Sequence, residues 1–435
     1  MSRVNWPFLR TSSPTIVRAS GLHLYTADGR ALLDAAGGAI VANIGHGRER
    51  VAARVAEATR DCTYVVPPWI TPSRQALVET LQRSWLPERL SRIHVTSGGS
   101  EAVEAAIKIA LQYQAAIGRP ERRKILARSV SYHGTTFTTT GLSGHPARKR
   151  GLEHVLVEFP RVPTPYPLRC PLGPHHPDTG RYYVERLREV LEREGPETVA
   201  ALIAEPITGS SGGALVPPDP YWTEVRRLCD EHGVLLVLDE VMTGFGRTGT
   251  RFGYQHWPIE PDILIAGKGL AGGYAPIGGV YAAEEIGAAL GDAGMGVMFH
   301  TFGAHPAACA AAAEVLTILD EERLVERAAA KGALLEERLE DAFAQHPHVA
   351  EVRGRGLLLA IEIVQDRDRL TPYPLAHDVT NRIVRSALQR GVFFYSGGTG
   401  EVRDIVCLGP PFIIDDEHID TMVRVLREAV DEVTA

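Results

Sequence analysis

The sequence predicts an α/β protein: a large domain on a mostly parallel seven-stranded sheet, with a smaller α/β domain assembled from both termini. Three observations carry that expectation. From about residue 51 to 320, short apolar runs alternate with helical patterns, the mark of a parallel sheet covered on both faces. Residues 1–50 read instead as turns and short strands, with Asp28-Gly29 as a hairpin signal. From about 321 a charged helix leads to "VRGRGLLLAIEI" and further strand and helix signals. The expected division is 1–55 for the N-terminal part of the smaller domain, 56–320 for the large domain and 321–435 for the C-terminal part.

Seven runs supply the strands of the large sheet. They are "RIHVTS" (92–97), "KILARS" (124–129), "HVLVEF" (154–159), "VAALIAEP" (199–206), "VLLVLDE" (234–240), "DILIAGK" (262–268) and "IGGVYAA" (277–283). The last follows so soon after its predecessor that it is expected to return antiparallel. Helices are expected over 99–114, 181–194 and 220–232; the first carries Ala102, Val103, Ala106, Ile107, Ala110 and Leu111 at helical spacing. In such sheets ligands bind beyond the carboxyl ends of the strands, so the strand tips are where function is read.

Bulk properties narrow the classes. The 435 residues are 44% hydrophobic and 23% charged with a net charge of −7, which argues against nucleic acid as a partner. The basic runs "PERRKI" (120–125) and "ARKRG" (147–151) are short and read as solvated faces or turns. The most apolar stretch, "AACAAAAEVLTIL" (307–319), is broken by Glu314 and reads as a packed helix, so no membrane association is expected. Five scattered cysteines without C-x-x-C spacing suggest a reducing, cytoplasmic setting. Cys170, His175 and His176 fall in a Pro-rich stretch (160–177) that reads as a surface loop, and no metal is expected.

After the first strand comes Ser97-Gly98-Gly99-Ser100-Glu101. Glycines let a ligand approach the backbone, and the first amides of a helix have no intrahelical partner, a combination that binds anions. An ordinary helix start, with Ser97 as cap, fits the same residues. Tyr132-His133 at the next tip suit stacking on a planar ligand, or a buried core. Gly209, Ser211 and Gly213 match G-x-S-x-G, but Pro206 and the following prolines deny that elbow its helix. Gly244, Gly246 and Gly249 match the dinucleotide fingerprint G-x-G-x-x-G, yet "TRFGYQHWPIEPD" follows without helical period. A nicotinamide dehydrogenase is therefore the remote alternative.

What stands out is Asp239, ending an apolar strand, and Lys268, ending the next one before five glycines within eleven residues. A buried carboxylate needs a cationic partner. A lysine in an apolar, Gly-rich pocket has a lowered pKa and becomes a Schiff-base nucleophile. A Schiff-base lysine, a phosphate cradle, a stacking aromatic and an acid for a pyridinium nitrogen are together what pyridoxal phosphate requires.

At this point a resemblance adds to the reading. "TSGGSEAVEAAIK", "SYHGTT", "LIAEPI", "LDEVMTGFGRTG", "AGKGLAGG" and "HTFGAHPAACAAA" follow the order and spacing of the class III pyridoxal-phosphate aminotransferases. The chain resembles this ω-transaminase-like group from "NIGHG" to "LGPPFIID", which implies fold type I. The resemblance implies Lys268 as the Schiff-base lysine and proton shuttle, Asp239 as the pyridinium partner and Val241 on the ring's other face. It implies Gly99 and Ser100 at the phosphate, Tyr132 stacked with His133 beside it, and Glu205 near the cofactor hydroxyl. Thr301 matches the threonine that reaches the neighbouring subunit's phosphate, implying a homodimer (or tetramer) with active sites at the interface. Gly98 departs from the family, where many members have serine.

The implied activity moves an amino group from an amine or ω-amino acid to an α-keto acid, with pyruvate the expected acceptor, in a ping-pong cycle. Arg403 sits where the family often places a mobile arginine for the acceptor carboxylate. Tyr64 and Trp69 fall where it lines the substrate pocket, and Phe393, Phe394 and Tyr395 are further wall or core residues. Epimerases, aminomutases and decarboxylases of the same fold share the cofactor site and are the alternatives.

Overall fold

The computed structural model describes residues 14–296, 298–400 and 402–435. At its centre is the seven-stranded sheet, in the spatial order Arg92–Thr96, Gly278–Ala282, Ile263–Ala266, Leu235–Asp239, Val199–Ala204, Lys124–Arg128, Arg161–Val162. Gly278–Ala282 runs antiparallel to both neighbours, as its short connection required. All other pairs are parallel. Val199–Ala204 and Leu235–Asp239 are buried at every position, which is why they read as unbroken apolar runs. The helices appear at Gly99–Ala116, Thr179–Glu194 and Tyr221–His232. Buried Ala102, Ala105, Ala106 and Ala110 let the first of these lie close against the sheet.

One expected strand is absent. Residues 154–159 form turns and coil, with Val155 65% and Val157 58% exposed. The edge they would need, along Lys124–Arg128, is taken by Arg161–Val162 through the pairs Ala127–Arg161 and Arg128–Val162. A β-branched alternation without a free edge to pair with does not make a strand. The Pro-rich stretch after it is also not a surface loop over its first half. Val162, Thr164, Tyr166, Leu168 and Cys170 are buried, and the Tyr166 hydroxyl and Arg169 guanidinium both donate to Glu362.

Two smaller sheets complete the architecture. Ile16–Ser20, His23–Thr26 and Ala31–Asp34 form a meander, turned at Gly29, to which Val392–Phe393 adds in parallel, so both ends of the chain share one sheet. Val349–Arg355, Leu358–Ile363, Val402–Leu408 and Tyr395–Thr399 form an antiparallel sheet. The run 307–319 lies in the packed helix Pro306–Glu321; among the described residues no helix is long and apolar enough to cross a membrane.

The glycine fingerprint serves packing. A β-carbon on Gly246 would stand 2.8 Å from the Phe412 ring, and one on Gly249 2.9 Å from the Ala329 backbone. Between them the buried Arg247 donates to the carbonyls of Ala42 (3.0 Å), Leu357 (3.0 Å) and Pro410 (2.6 Å). One guanidinium thus ties the loop to an N-terminal and two C-terminal segments.

Candidate active site

The strand tips converge on a cavity of about 200 Å³. The tip after Arg92–Thr96 brings Gly99 and Ser100; the tip after Lys124–Arg128 brings Tyr132, His133 and Gly134. Glu205, Asp239 with Val241, and Lys268 arrive from the three central strands. The register explains the meeting of the last two: Asp239 pairs with Ile265, and Lys268 stands three residues beyond that partner.

At the helix start, Gly98 occupies the N-cap position with no side-chain cap hydrogen bond. Ser97 is therefore not the cap; its own N–H donates to Glu101 Oε2 at 2.9 Å. The first turn keeps its amides for an anion, to which the helix dipole adds. Ser100 Oγ accepts from Thr135 N–H at 3.1 Å. Gly99 has a steric reason as well: its missing β-carbon would lie 3.1 Å from Val241 Cγ1.

The carboxylates are oriented by backbone. Glu205 Oε1 accepts from Tyr132 N–H at 3.1 Å and Oε2 from Gly209 N–H at 2.7 Å. Burial pushes its carboxyl above the usual range, and the Asp239 charge adds to that. Asp239 Oδ1 accepts from Val241 N–H at 3.1 Å, while Oδ2 meets His133 Nδ1 at 2.7 Å. His133 Nε2 is buried without a hydrogen-bond partner among the described residues, an orphan polar atom at a cavity wall. Glu240, the second acid of the pair, points the other way and accepts from Gly253 N–H (2.8 Å) and Tyr254 N–H (2.7 Å).

Lys268 has a backbone φ of +39°, in the left-handed region that costs a non-glycine residue energy. Burial lowers its ammonium pKa to about 8, against the opposing pull of Glu205 and Asp239.

The cavity thus gathers every expected cofactor residue except Thr301, which is exposed. Tyr64 and Trp69 are 41% and 66% exposed, Tyr64 with its ring 6.2 Å from that of Phe302. Arg403 is partly buried, donates from Nη2 to the Tyr373 carbonyl at 3.0 Å, and is not among the residues lining the cavity. Sequence reasoning missed Ser210, Met242 and Gly134, which do line it. The turn weighed as a hydrolase elbow presents Ser210, while Ser211 is buried beside it.

An amine of lowered pKa and a fixed carboxylate on adjacent strand ends, with an open helix N-terminus between glycines, fit the aldehyde, ring nitrogen and phosphate of pyridoxal phosphate. The fold and site define a pyridoxal-phosphate enzyme of fold type I. The class III aminotransferase family model matches residues 10–430, and the chain belongs to that family. An uncharacterised aminotransferase of Schizosaccharomyces pombe is 38% identical over 97% of this chain and 93% of its own. The crystal structure of a thermostable (S)-enantioselective ω-transaminase from Thermomicrobium roseum superposes with a TM-score of 0.92 at 35% identity, covering 100% of this chain and 96% of the other. An amine transaminase from an uncultivated Pseudomonas species, solved in its pyridoxal-phosphate-bound form, also gives 0.92, at 34% identity over 99% and 97% of the two chains. This protein is a pyridoxal-phosphate-dependent class III transaminase.

Proposed function

We propose that the enzyme moves an amino group from an amine or ω-amino acid to an α-keto acid, pyruvate foremost, in two half-reactions of a ping-pong cycle. The observation that carries this reading is the meeting of Lys268, Asp239 and the open helix start at Gly99 on one cavity. When bound, pyridoxal phosphate supplies the electron sink and carries the amino group between the half-reactions.

The chain's own residues do the rest. The amides of Gly99 and Ser100 hold the phosphate. Asp239, fixed by His133 and the Val241 amide, would hold a proton on the ring nitrogen. With the cofactor bound, Tyr132 and Val241 would hold the ring between them, and Glu205 would serve its hydroxyl. Lys268 takes the proton from the substrate carbon and delivers it back, as general base and then acid. Arg403 is assigned the acceptor carboxylate, and Tyr64 and Trp69 the substrate pocket.

The assembly proposed is a homodimer in which Thr301 reaches the partner's phosphate. In support, Trp69 (66%), Ile70 (75%), Phe299 (61%) and Phe302 (60%) stand exposed around the segments carrying Tyr64 and Thr301, an apolar surface that suits a subunit interface. The division of the chain at about 56 and 320 into a large domain and a two-part smaller one belongs to the same proposal.

The test is a panel of amines and ω-amino acids with pyruvate, following alanine and the matching carbonyl product. Equimolar formation of both, abolished in Lys268→Ala, is expected. Carbon dioxide release or racemisation without any acceptor overturns the reading in favour of a decarboxylase or epimerase.

A further inference from the structure

The basic run 147–151 has no part in the site described above, yet the fold carries its Arg148 against Tyr132, a residue that lines the cavity. Arg148 lies in the turn Pro146–Lys149, beyond the segment that bears Tyr132. Its guanidinium carbon stands 4.8 Å from the centroid of the Tyr132 ring. Tyr132 lines the cavity, whereas Arg148 is exposed.

A second element fixes that location. The strand Tyr395–Thr399 is tied to the cavity wall where Gly398 N–H donates to the carbonyl of Ser210 at 2.7 Å. Just past its end, a β-carbon on Gly400 would lie 3.6 Å from Pro146 Cγ. This strand therefore spans from a cavity-lining residue to the turn that holds Arg148. Tyr395, partly buried in it, lies close enough to Arg148 for the positive charge to oppose the rise in its phenol pKa that burial causes. A guanidinium and two phenols thus lie together, and one of them, Tyr132, lines the cavity.

We infer that Arg148 recognises the carboxylate at the far end of an ω-amino acid donor whose amino end is held at Lys268. A guanidinium stacked on an aromatic ring is oriented by its π-face and keeps its in-plane N–H donors for a bidentate carboxylate. Arg403, which donates to the Tyr373 carbonyl, is assigned to the acceptor, and Arg148 is a separate cation for the donor. The inference rests on the proposed function and narrows its donor to ω-amino acids.

The test compares γ-aminobutyrate with butylamine, the same chain without the carboxylate, in the holoenzyme with pyruvate as acceptor. In Arg148→Gln the ratio of kcat/KM for γ-aminobutyrate over butylamine is expected to fall by about tenfold, the loss of one charge-assisted pair. Arg148→Lys restores part of it. A readout independent of turnover is calorimetric titration of the holoenzyme with butyrate, which binds the wild type and binds Arg148→Gln more weakly by a similar factor. If both donors fall together in Arg148→Gln, the residue merely props Tyr132 and the inference is overturned. A wild-type enzyme that transaminates neither donor removes the kinetic comparison alone, and the butyrate titration then decides for or against Arg148.

Discussion

His133 and Asp239 form a buried pair, imidazole Nδ1 to carboxylate Oδ2 at 2.7 Å, with neither side chain more than 4% exposed. An ionised carboxylate only accepts, so the proton is on Nδ1. Together with the Val241 amide on Oδ1, this leaves Asp239 no rotational freedom. The charge is held in place before any ligand arrives, which is what preorganisation requires.

The first prediction concerns that charge. A carboxylate ~4 Å from a pyridinium at an effective dielectric of 20 is worth about 4 kcal/mol. Asp239→Asn keeps the shape and removes the charge, so kcat/KM is expected to fall by roughly three orders of magnitude. Stopped-flow measurement of the amine half-reaction checks it; a loss smaller than about tenfold contradicts the role.

Lys268 predicts a pH profile. Its ammonium pKa is lowered by burial to about 8, and the neutral amine, the nucleophile, dominates above that value. In the cofactor-free protein, the rate of Schiff-base formation with added pyridoxal phosphate is expected to rise with pH and level off above about 8. A lysine of ordinary pKa would keep gaining about tenfold per pH unit up to ~10. The absorbance change on mixing, followed across that range, separates the two.

Glu240 predicts a stability profile. It is fully buried, and its carboxyl is pushed up to about 7 by burial despite the hydrogen bonds it accepts. Above its unfolded value of about 4.5 the unfolded chain gives up this proton while the folded chain retains it, so the folded state binds more protons there. Stability from this group is present below that window and is lost as pH rises from about 4.5 to 7, by on the order of 3 kcal/mol. Glu240→Gln has no proton to lose, and denaturant melts of the two proteins should converge or diverge across that window accordingly. Parallel curves contradict the assignment.

Arg353 is the subject of the fourth. Its guanidinium, inside the antiparallel sheet, meets Glu362 at 2.6 Å and donates to the carbonyls of Gly213 (2.6 Å) and Gly212 (2.9 Å). Those glycines close the turn whose Ser210 lines the cavity. Arg353→Met leaves a buried carboxylate short of a partner, and a loss of about 3–5 kcal/mol in unfolding free energy is expected. Chemical denaturation measures it directly.

These residues also show what the sequence could and could not disclose. Asp239 and Lys268 were legible because each ends a run buried at every position, and the parallel order fixes which tips are neighbours. The helix at 99–114 was legible from its alanine-rich 3.6 spacing, but its cap was not: Ser97 has the capping side chain, yet the chain enters the helix at Gly98. The strand expected at 154–159 failed because edge pairing depends on which later segment reaches that edge first, a long-range competition that local alternation does not record. The partners of Arg247 and Arg353 were opaque for a related reason: each serves carbonyls more than a hundred residues away, and no spacing rule connects them. Ser210 and Met242 entered the cavity on turns, where periodicity carries no signal.

The last prediction isolates the phosphate cradle. Gly134 has a φ of +135°, and a β-carbon there would stand 2.6 Å from Ser100 Oγ and 2.7 Å from Thr139 Oγ1. Neither neighbour has room to yield: Ser100 Oγ is held by the Thr135 amide, and Thr139 lies in the capping box of the helix Phe137–Leu142. Gly134→Ala must therefore move Ser100 or the loop itself. If Ser100 helps hold the phosphate, the dissociation constant for pyridoxal phosphate rises by about tenfold, equivalent to roughly 1.4 kcal/mol. Pyridoxal without its phosphate provides the control, because its weaker binding does not use the cradle. An equal loss for both ligands would mean that the substitution damages the pocket as a whole; a loss confined to the phosphorylated form locates the damage at Ser100.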